Sequence, residues 1–167
     1  MKTLVFQAKV LDDSCQVRVF IFSKGRCMSI WKMPITHQLL TERSKNTFAE
    51  FVGIEFTDFG DDYLKATLPV DHRTKQPLGF LNGGVSAALA ETVASTAANY
   101  CVDQKIAYCV GLDINANHLR PAISGVVTAT AKPLHLGNKT QVWEIKIEND
   151  AGKLVCISRM TMAVVYR

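Results

Sequence analysis

One long apolar helix stands in a sequence that is otherwise rich in strand-forming residues. The stretch 84–100 is dense in alanine, begins after Gly83, and carries a single charged residue, Glu91. The segments that follow are rich in valine, isoleucine and threonine, which favour strands; they span residues 106–115, 125–134, 141–148 and 153–166. Short connections between these segments predict an antiparallel meander. The pattern therefore predicts an α+β fold in which a curved antiparallel sheet embraces one long helix.

The region before this helix predicts shorter elements. Residues 36–52 predict a pair of short helices that ends at Gly53. A hairpin follows, with strands at 54–57 and 63–70 around a turn at Gly60. Residues 71–81 contain Pro77 and Gly79 and predict a loop. A chain of 167 residues is long enough for one domain with a sizeable core.

Residues 1–27 differ in composition from the rest of the chain. The net charge is +4, and most of this excess comes from five basic residues near the start: Lys2, Lys9, Arg18, Lys24 and Arg26. A second methionine follows at Met28. We expect residues 1–27 to be an extension upstream of the true start, and residues 28–167 to be the functional domain; an extra strand or a disordered tail is the alternative. Charged residues interrupt the apolar start, so a signal peptide is not predicted.

Composition excludes several classes of function. The body of the chain has no excess of basic residues, so nucleic acid is not an expected partner. The sequence has no apolar run of 18 residues, and we expect no membrane association. The five cysteines show no Cys-x-x-Cys spacing, which predicts reduced thiols and a cytoplasmic location. The four histidines are scattered, so we expect neither a metal site nor a cofactor.

The carboxylate in the helix is a candidate functional group. Burying a lone charge among alanines is costly, so we interpret burial of Glu91 as functional. The residues one helical turn away are all small, namely Ala87, Ala88, Ala94 and Ser95. The space above Glu91 could hold a substrate, or a closely packed helix. Ser95 lies four residues after Glu91 and could orient the carboxylate or a water molecule.

The glycines before the helix form a second candidate feature. Gly83 and Gly84 present bare backbone N–H groups at the positive end of the helix, where an oxygen that develops negative charge can approach closely. A tight turn that needs positive φ would equally explain both glycines. Asn82 is a good residue to cap the helix. Asn82 and Glu91 are nine residues apart, or ~13.5 Å along a helix, so one protomer cannot bring both to one reacting carbon; a homodimer is implied.

The segment from Gln76 to Thr92 resembles the signature of the hotdog-fold acyl-CoA thioesterases. Further matches follow in the same order along the chain, at residues 69–71, 111–121, 133–137 and 141–145. Within the broader group of 4-hydroxybenzoyl-CoA and phenylacetate-pathway thioesterases, the sequence most resembles the hydrolases of 1,4-dihydroxy-2-naphthoyl-CoA and the proofreading thioesterases of enterobactin synthesis. The resemblance extends from about Ile30 to the last strand, and it implies the hotdog fold and hydrolysis of an aromatic acyl thioester.

The resemblance also implies catalytic roles. Glu91 matches the family's general base or nucleophile, and Gln76 matches the residue that hydrogen-bonds the thioester carbonyl region. The N–H of Gly83 matches the oxyanion donor, and Ser95 matches a helper near the hydrolytic water. Relatives usually have histidine at the position of Asn82. Asparagine can donate a hydrogen bond there, but unlike histidine it cannot titrate near neutral pH.

The implied partners are an acyl-CoA or acyl-carrier-protein thioester and further copies of this chain, as a dimer or a dimer of dimers. Arg120 and Lys139 have the charge to bind phosphates, and Asn138 stands where many relatives have arginine. A non-catalytic acyl-thioester-binding protein is the alternative; a hotdog hydratase would use an Asp/His pair that this chain does not place. The residues that match the binding of pantetheine and the CoA nucleotide are Gly111, His118, Leu119, Arg120, Pro121, His135, Leu136, Gly137, Asn138, Lys139 and Thr140.

Overall fold

The computed structural model of the protein describes residues 29–167. The predicted boundary at Met28 and the segment 1–27 lie outside the described residues. The described part of the chain forms three helices and six strands, which we number in chain order. They are α1 (His37–Ser44), α2 (Phe48–Val52), β1 (Glu55–Phe59), β2 (Leu64–Pro69), α3 (Gly83–Tyr100), β3 (Ala107–His118), β4 (Val126–Leu136), β5 (Thr140–Asn149) and β6 (Leu154–Tyr166).

The strands form one sheet in the order β1-β2-β4-β5-β6-β3, and every neighbouring pair is antiparallel. The predicted hairpin and the meander β4-β5-β6 are confirmed. The prediction that β3 belongs to the same meander is wrong, because β3 pairs with β6 at the far edge of the sheet. Residues 119–125 join β3 to β4 and are too many for a tight hairpin. They pass across the end of the sheet, where Leu119 N donates to Val155 O (2.8 Å) and Val70 N donates to Gly125 O (2.9 Å).

The core lies between α3 and the sheet, and α3 contacts every strand from β2 to β6. One side of α3 is buried against the sheet, through Leu89, Val93, Thr96 and Tyr100. The facing strands contribute Trp143, Ile145 and Met160, which are at most 1% exposed. Burying these side chains supplies the main driving force for the fold. This arrangement confirms the predicted hotdog fold. Separately, no helix in residues 29–167 is long and apolar enough to cross a membrane.

Both ends of α3 are held by asparagine side chains. At the start, Asn82 Oδ1 accepts a hydrogen bond from Gly84 N (2.8 Å), so the predicted cap is confirmed. At the other end, Asn99 Oδ1 accepts from Cys109 N (2.9 Å) and Asn99 Nδ2 donates to Cys109 O (3.0 Å). Asn99 therefore ties the last turn of α3 to the start of β3. The two hydrogen bonds of Asn99 fix how the helix lies along β3, the strand that carries two of the predicted site residues, Gly111 and His118.

Candidate active site

Gly83 is a glycine because of what lies next to it. A Cβ on Gly83 would lie 2.9 Å from His118 Nε2, closer than side chains pack without something shifting. Neither Gly83 nor Gly84 has a positive φ, so the alternative explanation by a tight turn is wrong. As the first residue of α3, Gly83 has an N–H that helix geometry leaves free, and it meets no acceptor among residues 29–167. Gly83 and Gly84 are called the hinge from here on. The hinge therefore presents an unpaired N–H group, that of Gly83, at the positive end of α3.

A cavity of about 340 Å³, called the hinge cavity below, opens beside the N–H of Gly83. It brings together residues from the loop before α3, the start of α3, the end of β3 and the connection that follows β3. Six predicted site residues line it: Gln76, Gly83, His118, Leu119, Arg120 and Pro121. The other residues that line the cavity were not predicted from the sequence: Phe80, Leu81, Ser86, Ala122 and Val155. Phe80 and Leu81 lie within the matched motif and Ser86 lies one turn after Gly83, whereas Val155 comes from β6 and gave no local signal.

The loop before α3 fixes the orientation of Gln76. Its backbone forms a tight turn, in which Gln76 N donates to Phe80 O (2.8 Å) and Gly79 N donates to Gln76 O (2.9 Å). Gly79 has φ +85°, a conformation that glycine adopts without strain. The side-chain oxygen of Gln76 accepts a hydrogen bond from the N–H of Leu78. The amide oxygen is thus occupied, and the amide NH₂ is the group that Gln76 can offer a ligand.

Arg120 supplies positive charge at the rim of the same cavity. Its side chain is exposed, and one guanidinium nitrogen, Nη1, donates to Leu154 O (2.8 Å). That bond anchors the guanidinium and leaves its other N–H groups available to an anion. A planar fork of this kind suits a phosphate oxygen.

Glu91 lies outside this cavity, and the predicted burial of its side chain is wrong for the described protomer. Glu91 is exposed on the face of α3 that turns away from Leu89 and Val93. Its Oε1 lies 3.2 Å from where a Cβ on Gly111 would be, so these two predicted site residues are neighbours. The pairing of β3 with β6 shifts register between Gly111 and Asp113, which marks a β-bulge next to the carboxylate. Bulges are common beside active sites because they redirect the strand.

The surroundings of Glu91 are small and polar. The Ser95 hydroxyl donates to Thr92 O (3.3 Å), and the Thr92 hydroxyl donates to Ala88 O (2.7 Å). Gly83 and Glu91 are eight residues apart on α3, about 12 Å along the helix axis. The cavity beside Gly83 and the carboxylate of Glu91 therefore lie at two separate places on α3.

The remaining predicted CoA-binding residues lie in a third place. The β4–β5 loop carries His135 to Thr140, and Leu136, Gly137 and Asn138 line a second cavity of about 430 Å³ near the start of β3. The structure thus separates these residues from the 118–121 segment at the opposite end of β3. Lys32, Asp103 and Tyr166, which were not predicted from the sequence, also line the second cavity.

The cysteines of the described region do not provide a nucleophile. Burial raises the pKa of the Cys101 thiol to about 12 and that of the Cys109 thiol to about 11. Both thiols are therefore protonated near neutral pH, and thiols are poor nucleophiles in that form. Within residues 29–167, no group of three or more His, Cys, Asp or Glu side chains is placed to hold a metal ion. The chemistry available to the site rests on a carboxylate, amide donors and basic side chains.

Known proteins are similar to this chain in sequence and in fold. The model of the thioesterase superfamily matches residues 78–156. A 1,4-dihydroxy-2-naphthoyl-CoA hydrolase of Escherichia coli is 48% identical over 81% of this chain and 98% of its own length. A proofreading thioesterase, EntH, of Cronobacter turicensis is 47% identical over 81% of this chain and 98% of its own length.

Two crystal structures have the same architecture. A mutant thioesterase of Pseudomonas aeruginosa superimposes with a TM-score of 0.82 at 47% identity, over 83% of this chain and 100% of that one. A thioesterase of Haemophilus influenzae superimposes with a TM-score of 0.80 at 50% identity, over 82% of this chain and 95% of that one. Identity at this level over most of the chain goes beyond a shared fold. The chain therefore belongs to the thioesterase superfamily and is a hotdog-fold thioester hydrolase.

Proposed function

We propose that the protein hydrolyses aromatic acyl-CoA thioesters to the free acid and CoA, and that the hinge cavity binds the thioester carbonyl. The observation that carries this proposal is the convergence of the unpaired Gly83 N–H and the oriented Gln76 amide on one cavity. Two donors aimed at one oxygen stabilise the negative charge that develops there during attack on a carbonyl. The naphthoyl-CoA hydrolase of E. coli supports an aromatic acyl group.

Glu91 of the partner subunit acts as the general base. Its carboxylate removes a proton from water as the water oxygen forms a bond to the carbonyl carbon, and the C=O π pair moves onto the carbonyl oxygen. Collapse of this tetrahedral oxyanion re-forms the C=O bond and breaks the C–S bond. The thiolate takes the proton from Glu91, which leaves a free acid and a thiol. Ser95, one turn after Glu91, holds the attacking water. Asn82 keeps Gly83 in place by capping α3.

A homodimer that pairs two copies of β3 completes the site. Among the described residues, β3 pairs only with β6, so its other edge is open and bears exposed Tyr108, Val110 and Leu112. Open edges invite pairing with another strand. Ala87 lies midway between Gly83 and Glu91, and its small side chain lets a second α3 approach closely. A two-fold axis near Ala87 would place Gly83 opposite Glu91 of the partner subunit. Two such dimers could associate further.

The basic residues bind the CoA portion. The anchored guanidinium of Arg120 binds a phosphate at the rim of the hinge cavity, beside His118, Leu119 and Pro121. The loop from His135 to Thr140, with exposed Lys139, contacts the nucleotide, and Gly111 lets the pantetheine arm pass Glu91. An acyl-carrier-protein thioester is the second candidate substrate, since a relative is named a proofreading thioesterase. We further propose that residues 28–167 are the thioesterase domain and that the protein is cytoplasmic. The three cysteines within residues 29–167, all free and buried, support the latter.

Release of free thiol tests the proposal. The purified protein is mixed with benzoyl-CoA, with aliphatic acyl-CoAs and with a benzoyl-carrier protein, and the thiol is measured with a colorimetric reagent. We expect turnover of benzoyl-CoA. The Glu91→Gln variant should lose about 10²–10⁴ in rate, because glutamine keeps the shape but accepts no proton. A folded variant that keeps more than half of the wild-type rate would contradict the role of Glu91. Binding of benzoyl-CoA without any thiol release would favour the non-catalytic alternative.

A further inference from the structure

We propose that His118 is a catalytic residue, whose imidazole donates a second hydrogen bond to the thioester carbonyl oxygen beside the N–H of Gly83. This inference rests on the proposed function and deepens it. It differs from the role that the sequence resemblance implies for His118, which is contact with CoA.

The imidazole meets the hinge through one particular ring atom. The distances from the position of a Cβ on Gly83 are 2.9 Å to Nε2 and 3.4 Å to both Cδ2 and Cε1. Nε2 is thus the ring atom nearest the hinge. His118 is the last residue of β3, and its pairing with Cys156 on β6 fixes where its backbone lies. Three separate elements therefore bring a nitrogen to the hinge cavity, through Gln76, Gly83 and His118.

The imidazole is available to a ligand. Its side chain is exposed, and neither ring nitrogen hydrogen-bonds to any group within residues 29–167. Nε2 can carry a proton in the neutral ring and always carries one in the cation, so it can donate in both states. A carbonyl oxygen that accepts from Gly83 N–H would lie within reach of this second donor.

The neighbouring polar residue, Asn82, caps the helix and does not line the cavity. Asn82 Oδ1 accepts from Gly84 N (2.8 Å), and Asn82 does not line the cavity, whereas His118 does. Capping of this kind stabilises a helix by ~1 kcal/mol, which holds the Asn82 side chain in that position. The structure thus gives the capping role to Asn82 and leaves the ligand-facing role to His118.

A contact with CoA phosphates is the rival explanation, because Arg120 lies in the same segment. The two roles differ in what they require of the substrate. A donor to the carbonyl oxygen acts on any thioester, including one without a nucleotide. A phosphate contact acts only on a CoA thioester. The acyl group can be held constant while the nucleotide is removed, by comparing benzoyl-CoA with S-benzoyl-N-acetylcysteamine.

The test measures kcat and KM of the wild type, His118→Ala, His118→Gln and Arg120→Ala on both substrates. Loss of one oxyanion donor costs about 10²–10³ in kcat, so we expect His118→Ala to lose at least about tenfold in kcat on both thioesters. His118→Gln keeps a donor of similar reach and should recover part of that loss. Arg120→Ala is the variant for comparison, and it should raise KM for benzoyl-CoA more than it raises KM for the truncated thioester.

Each outcome decides between the two roles. If His118→Ala keeps the wild-type kcat on S-benzoyl-N-acetylcysteamine and differs only in KM for benzoyl-CoA, the catalytic role is wrong and the phosphate contact stands. If His118→Ala does not fold, the kcat of a folded His118→Leu variant decides in the same way. If the wild type hydrolyses neither thioester, the proposed function fails, which is distinct from failure of the role of His118.

Discussion

The glycine at position 83 is explained by a side chain that is distant in the sequence. Gly83 and His118 are separated by 35 positions, yet the imidazole occupies the space that a side chain at position 83 would need. The imidazole is exposed, so it can swing away from an added methyl group at little cost in stability. A larger residue at position 83 would therefore displace a donor rather than disrupt the core.

This geometry predicts coupling between the two positions. Gly83→Ala should lower kcat about tenfold or more, with little change in Tm, because the methyl group displaces the His118 imidazole and crowds the carbonyl site. In a His118→Ala background the same change should cost less, since the clash is absent; contacting residues typically couple in this way. The measurement is kcat on benzoyl-CoA for the four proteins of the cycle. Losses that simply multiply would show that the two residues act independently.

Asp71 holds the first residues of the loop that carries Gln76. Its carboxylate accepts hydrogen bonds from the Arg73 backbone N–H (2.8 Å) and from the Arg73 guanidinium, which in turn donates to Phe51 O (3.0 Å). The hydrogen bonds from Arg73 lower the pKa of Asp71 to about 2. The ionised carboxylate is thus favoured in the folded state.

Because its folded pKa lies below the unfolded value of about 3.9, Asp71 contributes stability that is fully present above about pH 4. This contribution is lost as the pH falls toward about 2. We therefore expect Asp71→Asn to lower Tm at pH 7, and the difference from wild type to shrink between pH 4 and pH 2. Thermal melts at pH 7, 4 and 2.5 check this. A difference that stays constant with pH would assign the effect to packing instead of charge.

At the scale of elements, α3 and β3 are joined by a side chain that acts like a strand neighbour. Asn99 is buried, and it bonds both the N–H and the C=O of Cys109. Buried backbone groups need partners, and this part of β3 obtains them from the helix. Because Asn99 occupies the N–H and the C=O of Cys109, these two groups on the open edge of β3 are not available to pair with a strand of a second copy.

Replacing Asn99 should test this link. Asn99→Ala would leave two backbone groups of the buried Cys109 without partners, each worth about 1–3 kcal/mol. We expect the free energy of unfolding to fall by about 2–4 kcal/mol. Asn115→Ala, an exposed asparagine on the same strand, is the matched control and should change stability by less than about 0.5 kcal/mol. Urea unfolding measures both, and equal stability of the two variants would refute the role of Asn99.

At the scale of the whole molecule, the hinge cavity and Glu91 lie at two separate places on one chain, and the proposed dimer would bring each cavity to a carboxylate. The hinge cavity and Glu91 are about 12 Å apart along α3, which is too far for one thioester carbon. Antiparallel pairing of two β3 edges would bring each cavity to the carboxylate of the other copy. Closed two-fold dimers are also the commonest assembly of soluble proteins.

Subunit complementation tests the shared site. Gln76→Ala and Glu91→Gln should each be nearly inactive alone, but co-produced copies should form mixed dimers in which one of two sites has both residues intact. With random pairing in a two-fold dimer, the mixture should recover about a quarter of the wild-type activity. If each site lies within one protomer, the mixture stays inactive. The double variant Gln76→Ala/Glu91→Gln mixed equally with wild type is the control. Its mixed dimers have no intact shared site, so only the wild-type homodimers remain active and the mixture should keep about a quarter of the activity, against about half if each site lies within one protomer.

Local patterns in the sequence were enough to predict the main elements and the family. The alanine-rich run predicted α3, the β-branched runs predicted the strands, and the motif from Gln76 to Thr92 predicted the family. These succeeded because periodicity, capping and short motifs are local properties of the chain. The cap at Asn82 was predicted for the same reason, since it needs only the residue and the N–H two positions later.

The tertiary structure alone decided how these pieces meet. The sequence could not place β3 beside β6, because that pairing depends on a connection that crosses the end of the sheet. It could not place His118 against Gly83 or Val155 in the cavity, because both contacts are made across the fold. It predicted burial of Glu91 from composition, whereas the fold leaves that face of α3 open. Contacts between distant residues depend on how the elements pack, and local pattern carries no record of that packing.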